Sequence, residues 1–150
     1  MELINYSDKF LVFYDAYMAG GGLISPPISI PSGGGDVFSG NNGGWAGFGV
    51  YGVLAWEIGN TDHMLVIYVL VPANRDLSSN YLGFGVFKTQ SLTDSAFTIY
   101  NYFYYGTGKK NTQYVTRDFY NNVSPLQLSQ NKDYFIQGVM TDGGYSKIEV

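Results

Sequence analysis

The chain has 150 residues, 13% of them charged, and a formal charge of −4, the composition of one compact domain able to bury ~70% of its unfolded surface without staples. It has no cysteine and a single histidine, His63, which excludes disulfides, a thiol nucleophile, cysteine-based zinc and any multi-histidine metal site. No basic stripe runs through it, so nucleic acid is not an expected partner.

In chain order, Lys9–Met18 sets Phe10, Val12 and Tyr14 against Leu11 and Phe13 and predicts a strand. Ala19–Gly44 holds Gly20-Gly21-Gly22, Pro26-Pro27, Pro31 and Gly33-Gly34-Gly35, which predicts turns around one short strand, Ile28–Ile30. These glycines match neither a P-loop nor a dinucleotide fingerprint. Ala46–Ile58 predicts a long strand with Phe48, Val50, Leu54 and Trp56 on its buried face and a second face thinned by Gly47 and Gly49. Gly59–Asp62 turns the chain, and His63–Val71 returns apolar on both faces. Tyr81–Lys88 follows as a strand. Thr98–Thr116 alternates Ile99, Asn101, Phe103 and Tyr105 with Thr98, Tyr100, Tyr102 and Tyr104, which predicts an aromatic hairpin with a basic tip at Lys109 and Lys110. Gln113–Asn122 also fits a short helix, with Val115, Phe119 and Asn122 on one side. Asp133–Met140, a turn at Asp142–Gly144 and Tyr145–Val150 close the chain.

Many short strands with few helices predict an all-β sandwich with at most one or two short helices, spanning 1–150 as one domain. Its expected core includes Phe48, Val50, Leu54, Trp56, Leu65, Ile67, Val69 and Ile136. His63 stands at a strand start with no nucleophile motif pointing to it, and the acidic residues are scattered, so the chain is not expected to be an enzyme. One histidine and dispersed carboxylates supply too few donors for a transition-metal site, so neither metal nor cofactor is expected. The longest apolar run, Met64–Val71, is far short of the ~20 residues of a membrane helix, and no signal peptide is visible at the N-terminus. Asn5-Tyr6-Ser7 and Asn122-Val123-Ser124 are sequons, relevant only to a eukaryotic secretory route. Fourteen tyrosines remain to be explained, a residue with an apolar ring and a wet hydroxyl that suits contact with headgroups, sugars or another protein.

Gly52-Val-Leu-Ala-Trp56, Leu65-Val-Ile-Tyr-Val-Leu-Val-Pro72, Ser79-Asn80-Tyr81 and Val86-Phe87-Lys88, taken in order, resemble the actinoporins, the sea-anemone pore-forming cytolysins that share their fold with fungal fruit-body lectins. Phe119-Tyr120-Asn121-Asn122-Val123-Ser124-Pro125 resembles the family's tyrosine-rich helix end, and Asp15-Ala16-Tyr17 its first sandwich strand. The resemblance covers roughly residues 9 to 150 with one large gap. It implies a β-sandwich that binds phosphocholine headgroups through an aromatic patch, and a homo-oligomer released to act at a target-cell membrane.

Carried over residue by residue, Tyr120 falls on a family tyrosine, Tyr81 on an aromatic of the membrane loop, Tyr51 on a pocket-lining valine and Pro72 on the pocket proline. Gly20, Leu70, Ser78, Thr116 and Asn121 stand where the family uses serine or tyrosine, so the choline cage is only partly reproduced. Only eight residues precede the strand at Lys9, too few for the family's insertion helix. The contact surface is expected at the Pro72–Tyr81 loop, the Gln113–Asn122 segment and the hairpin tip. There Leu77 and Tyr81 would enter an interface, Tyr51, Pro72 and Tyr120 would face a headgroup or sugar ring, and Lys109 and Lys110 would meet phosphate. If pores form, the Thr98–Thr116 hairpin is the expected inserting element. A membrane-binding cytolysin is the first reading, a carbohydrate-binding lectin of the same fold the second, and a structural assembly module the third.

Overall fold

The computed structural model describes residues 1–42, 49–74, 76, 78–89, 96–105, 113–119, 124–130, 133–141 and 143–150. Among these are twelve strands and one helix. The strands are β1 (Glu2–Ile4), β2 (Leu11–Gly20), β3 (Gly22–Ser25), β4 (Gly35–Val37), β5 (Ser39–Asn41), β6 (Val50–Ile58), β7 (His63–Val71), β8 (Tyr81–Lys88), β9 (Gln113–Asp118), β10 (Leu126–Gln130), β11 (Tyr134–Met140) and β12 (Ser146–Glu149); the helix is α1 (Ala96–Tyr105). One five-stranded sheet runs β10-β11-β12-β1-β4, a second runs β2-β6-β7-β8-β9, and β3 pairs with β5. The expectation of an all-β sandwich with at most one or two short helices holds, with one short helix among the described residues.

The second sheet is buried on both faces, which explains the unbroken apolar run in β7. Leu54 and Trp56 of β6, Leu65, Ile67 and Val69 of β7, and Leu82, Phe84 and Val86 of β8 pack inward against Leu3, Leu128, Ile136 and Ile148 of the first sheet. On the opposite face, Val53, Ala55, Met64, Val66, Tyr68 and Phe87 pack under Ala96, Ile99, Tyr100 and Phe103 of α1. Of the expected core, Leu54, Trp56, Leu65, Ile67, Val69 and Ile136 are buried. Val50 is half-buried, and Phe48 lies outside the described residues. The second face of β6 is therefore a core face too, where a solvent-thinned one was expected.

The Thr98–Thr116 hairpin is overturned. Its first half is α1, whose buried residues Ala96, Ile99, Tyr100 and Phe103 recur at i, i+3, i+4 and i+7. Its second half enters β9, antiparallel to β8 with Tyr81 opposite Asp118 and Gly83 opposite Thr116. The short helix expected over Gln113–Asn122 is thus an edge strand as far as Asp118. The first misreading has a physical cause: tyrosine accepts either a wet or a dry face, so a run of them fits either period. Helix α1 lies over β2 and β6, and its Phe103 reaches β8, where a Cβ on Gly83 would sit 3.0 Å from the Phe103 ring.

The glycine-rich stretch holds β3, β4 and β5 in place of the expected Ile28–Ile30 strand, and Ile30 forms only an isolated bridge with Leu11. Glu2–Ile4, expected to precede the sandwich, lies within it, parallel to β12 and antiparallel to β4, with Leu3 buried. Asn5 fixes the following bend. Its fully buried side-chain amide donates to Lys9 O (2.7 Å) and Pro31 O (3.1 Å), while its Oδ1 accepts from Ser7 N (3.1 Å) and Ser7 Oγ (2.6 Å). The first sequon is consumed by this network.

Candidate functional site: a tyrosine face at one end of the second sheet

Strand register brings Gly20, Tyr51, Leu70, Tyr81 and Asp118 into one row across β2, β6, β7, β8 and β9. Cross-strand partners project to the same face, and Tyr51 and Leu70 pack into the layer beneath α1, so the whole row lies on that side. The row borders the loop that starts at Pro72, directly after β7. Pro72 and Tyr51 are half-buried, and Tyr81 is 36% exposed. The sheet end is fastened behind the row. Asn80 donates from Nδ2 to Thr141 O (2.8 Å), and Phe119 N donates to Asn80 O (2.8 Å).

Helix α1 adds the second wall. Tyr100 is the hub, with ring centroids 5.6 Å from Tyr17, 6.3 Å from Tyr51, 6.1 Å from Tyr68 and 5.4 Å from Tyr104. Tyr104 meets Tyr105 edge-on at 4.9 Å, and Phe97 meets Tyr17 edge-on at 5.2 Å. The inner rings are buried, while Phe97, Tyr104 and Tyr105 are 49%, 50% and 67% exposed. The result is a continuous aromatic surface with a buried base and a wet rim. Gly20 shapes one side: a Cβ there would fall 2.1 Å from the Tyr51 ring, so only glycine lets that ring lie over β2.

The two inner phenols, Tyr68 and Tyr100, stay protonated. Burial pushes Tyr68 well above the ordinary tyrosine range, and the neighbouring phenols of Tyr100, Tyr104, Tyr81 and Tyr51 push it further. Burial does the same to Tyr100, reinforced by Tyr104 and Tyr51. At neutral pH the face therefore offers uncharged π clouds and hydroxyls, with the Asp118 carboxylate next to Tyr81 as the fixed negative charge. Aromatic faces beside a carboxylate suit a quaternary ammonium, each ring contributing ~0.5–2 kcal/mol. Arg117 is directed elsewhere. It donates to Ser124 O and stacks 4.6 Å from the centroid of Phe119.

Of the site residues expected from sequence, Tyr51, Pro72 and Tyr81 come together at this end of the sheet. Leu77, Lys109, Lys110 and Tyr120 lie outside the described residues. Sequence reasoning missed Asp118, Tyr68, Tyr100 and Tyr104 as site members. The i, i+4 spacing of Tyr100 and Tyr104 could have revealed the helical pair, whereas the pairing of Asp118 with Tyr81 depends on the register of an edge strand. His63 is a strand-end residue as expected, its Nδ1 2.9 Å from Asp62 Oδ1 and its ring 5.4 Å from that of Tyr134. Among the described residues no group of three or more acidic or histidine side chains could hold a metal.

No protein-family model matches the chain. It is similar to Echotoxin-2 of Monoplex parthenopeus, 30% identical over 99 residues that make up 65% of this chain and 36% of that protein. The chain thus spans about a third of the length of the curated relative it matches. In fold it is similar to the lipid-binding protein Nakanori, with a TM-score of 0.71 over 99% of this chain and 66% of that one, at 12% identity. The chain thus shares the fold of that lipid-binding protein and is similar in sequence to part of the toxin, in line with the actinoporin resemblance of its central strands.

Proposed function

We propose that this chain is a membrane-binding protein of the toxin type that docks on phosphocholine headgroups through its tyrosine face, as a binding protein and not an enzyme. The observation that carries the reading is the convergence of Tyr51, Tyr68, Tyr81, Tyr100 and Tyr104 beside Pro72 and Asp118 at one end of the second sheet. Interfacial tyrosine suits the headgroup level, and the exposed Phe97, Tyr104 and Tyr105 supply area for shallow insertion. A toxin among its relatives and a lipid-binding protein among its structural neighbours support this reading and an action outside the producing cell.

Lysis would follow from assembly of several copies at the bilayer. Among the described residues no helix is long and apolar enough to cross a membrane. Helix α1, with 10 residues, reaches only ~15 Å and is held on the sheet by its buried face, so it does not replace the hairpin as an inserting element. Co-flotation with vesicles of phosphatidylcholine, sphingomyelin or phosphatidylglycerol, with dye release scored in parallel, tests the proposal. Binding to the choline lipids that soluble phosphocholine competes away is expected. Equal binding to choline-free vesicles, or none to any, would overturn it.

A second reading, glycan binding, has its own observation on the opposite sheet. Exposed Tyr6 and Phe135 flank a hollow lined by Gln137 and Glu149, where Gln137 Nε2 donates to Glu149 Oε2 (2.6 Å) and Lys147 pairs with Glu149 (2.9 Å). Stacking rings beside paired polar groups suit a sugar. A Phe135→Ala variant that keeps all glycan-array signal would exclude this hollow.

A further inference from the structure

A cavity of about 320 Å³ opens between the two sheets at the end where β7 leaves for Pro72. The apolar part of its wall, the larger share, is built by Met18 of β2, Leu23 of β3, Phe38, Leu54 of β6, and Val69 and Val71 of β7. Facing them across the sandwich is Ser146, the first residue of β12. Ser146 is 0% exposed, and its Oγ has no hydrogen-bond partner. A buried hydroxyl without a partner forfeits the hydrogen bond it would make in water, and native interiors rarely leave such a group unsatisfied.

Size and chemistry together define an occupant. At the ~30 Å³ that one water takes in the liquid, the cavity has the volume of about ten waters, and a dry apolar cavity half this size already accepts benzene. The lining is largely hydrocarbon, with Ser39, Tyr145 and the backbone of Gly40, Gly143 and Gly144 as further polar groups, and Ser146 Oγ is its buried polar atom without a partner. We infer that this is a binding site for a small, mainly apolar molecule carrying one hydroxyl, a medium-chain alcohol or a phenol, with that hydroxyl hydrogen-bonded to Ser146. The site is distinct from the tyrosine face. Val69 and Val71 point between the sheets, whereas Tyr68 and Leu70 on the same strand point toward α1.

The test uses 1-octanol in vesicle-free buffer, with the methyl resonances of Met18, Leu54 and Val69 as reporters. Saturable shifts at sub-millimolar octanol are expected. Ser146→Ala should bind at least fivefold more weakly while melting at the same temperature or higher, because the substitution removes an unsatisfied group. Leu23→Trp, which grows into the cavity, should abolish the shifts. Should that variant fail to fold, Ser146→Ala decides alone. Tyr81→Ala should take octanol like the parent, which separates failure of this site from failure of the membrane proposal. A cavity filled by water or by the chain's own side chains, with no saturable shift, would overturn the inference, as would unchanged affinity in Ser146→Ala.

Discussion

Phe103→Ala probes how the tyrosine face is held. The Phe103 ring stacks on Tyr68 at 5.5 Å with planes 3° apart, meets Tyr114 edge-on at 5.1 Å, lies 6.1 Å from Phe87, and covers Gly83. Removing a buried phenylalanine costs about 3–5 kcal/mol, between a fifth and the whole of a typical domain's stability. The loss should concentrate in α1. Ten residues, six of them Tyr or Phe, make a poor isolated helix, so its order depends on the buried stripe of Ala96, Ile99, Tyr100 and Phe103. Hydrogen exchange should show α1 amides losing most of their protection while β6, β7 and β8 keep theirs, and Tyr68 should ionise at lower pH as its cover departs. A global loss under 1 kcal/mol with α1 protection unchanged would refute the claim that Phe103 anchors the helix.

Three further outcomes are expected. Gly20→Ala should fold but displace the Tyr51 ring, weakening phosphocholine-vesicle binding about two- to thirtyfold, the worth of one cation–π contact; unchanged affinity would remove Tyr51 from the site. Tyr68 and Tyr100 have phenol pKa values raised above the unfolded 10.0, so the folded state holds their protons more tightly than the unfolded chain does. Stability should therefore be complete below pH 10 and fall as pH rises beyond it, which denaturant melts across pH 8 to 11 would show as a steady drop confined to the alkaline end. Asn5→Ala should cost about 1–3 kcal/mol by chemical denaturation, because it leaves Lys9 O, Pro31 O and Ser7 without their buried partner.

The strands with strong period or double-sided apolarity were legible in the sequence: β6, β7, β8, β11 and β12 lie within a residue or a few of where alternation and turn residues put them. The turn before β7 was legible too, and Asn60 there has φ 59°. What local pattern could not reveal was pairing between distant segments. Three residues at Glu2–Ile4 become a strand only because β12, at the far end of the chain, lies alongside. The short β3–β5 ladder sits in a segment whose glycines and prolines signal turns alone. Helix α1 failed for a subtler reason. Its β-favouring aromatics outweighed an i, i+3, i+4, i+7 stripe that was present in plain view. At the site, family resemblance led to Tyr51, Pro72 and Tyr81, whereas Asp118 and the α1 tyrosines join them only through edge-strand register and helix docking.

The central claim is that the tyrosine face binds a choline headgroup, and the affinity of a Tyr51→Ala/Tyr81→Ala double variant for phosphatidylcholine vesicles tests it most directly. Two rings at ~0.5–2 kcal/mol each predict a loss of about fivefold to a thousandfold, with the thermal melt still cooperative and soluble phosphocholine no longer competing. A cooperatively folded double variant that binds those vesicles as tightly as the parent would contradict the account.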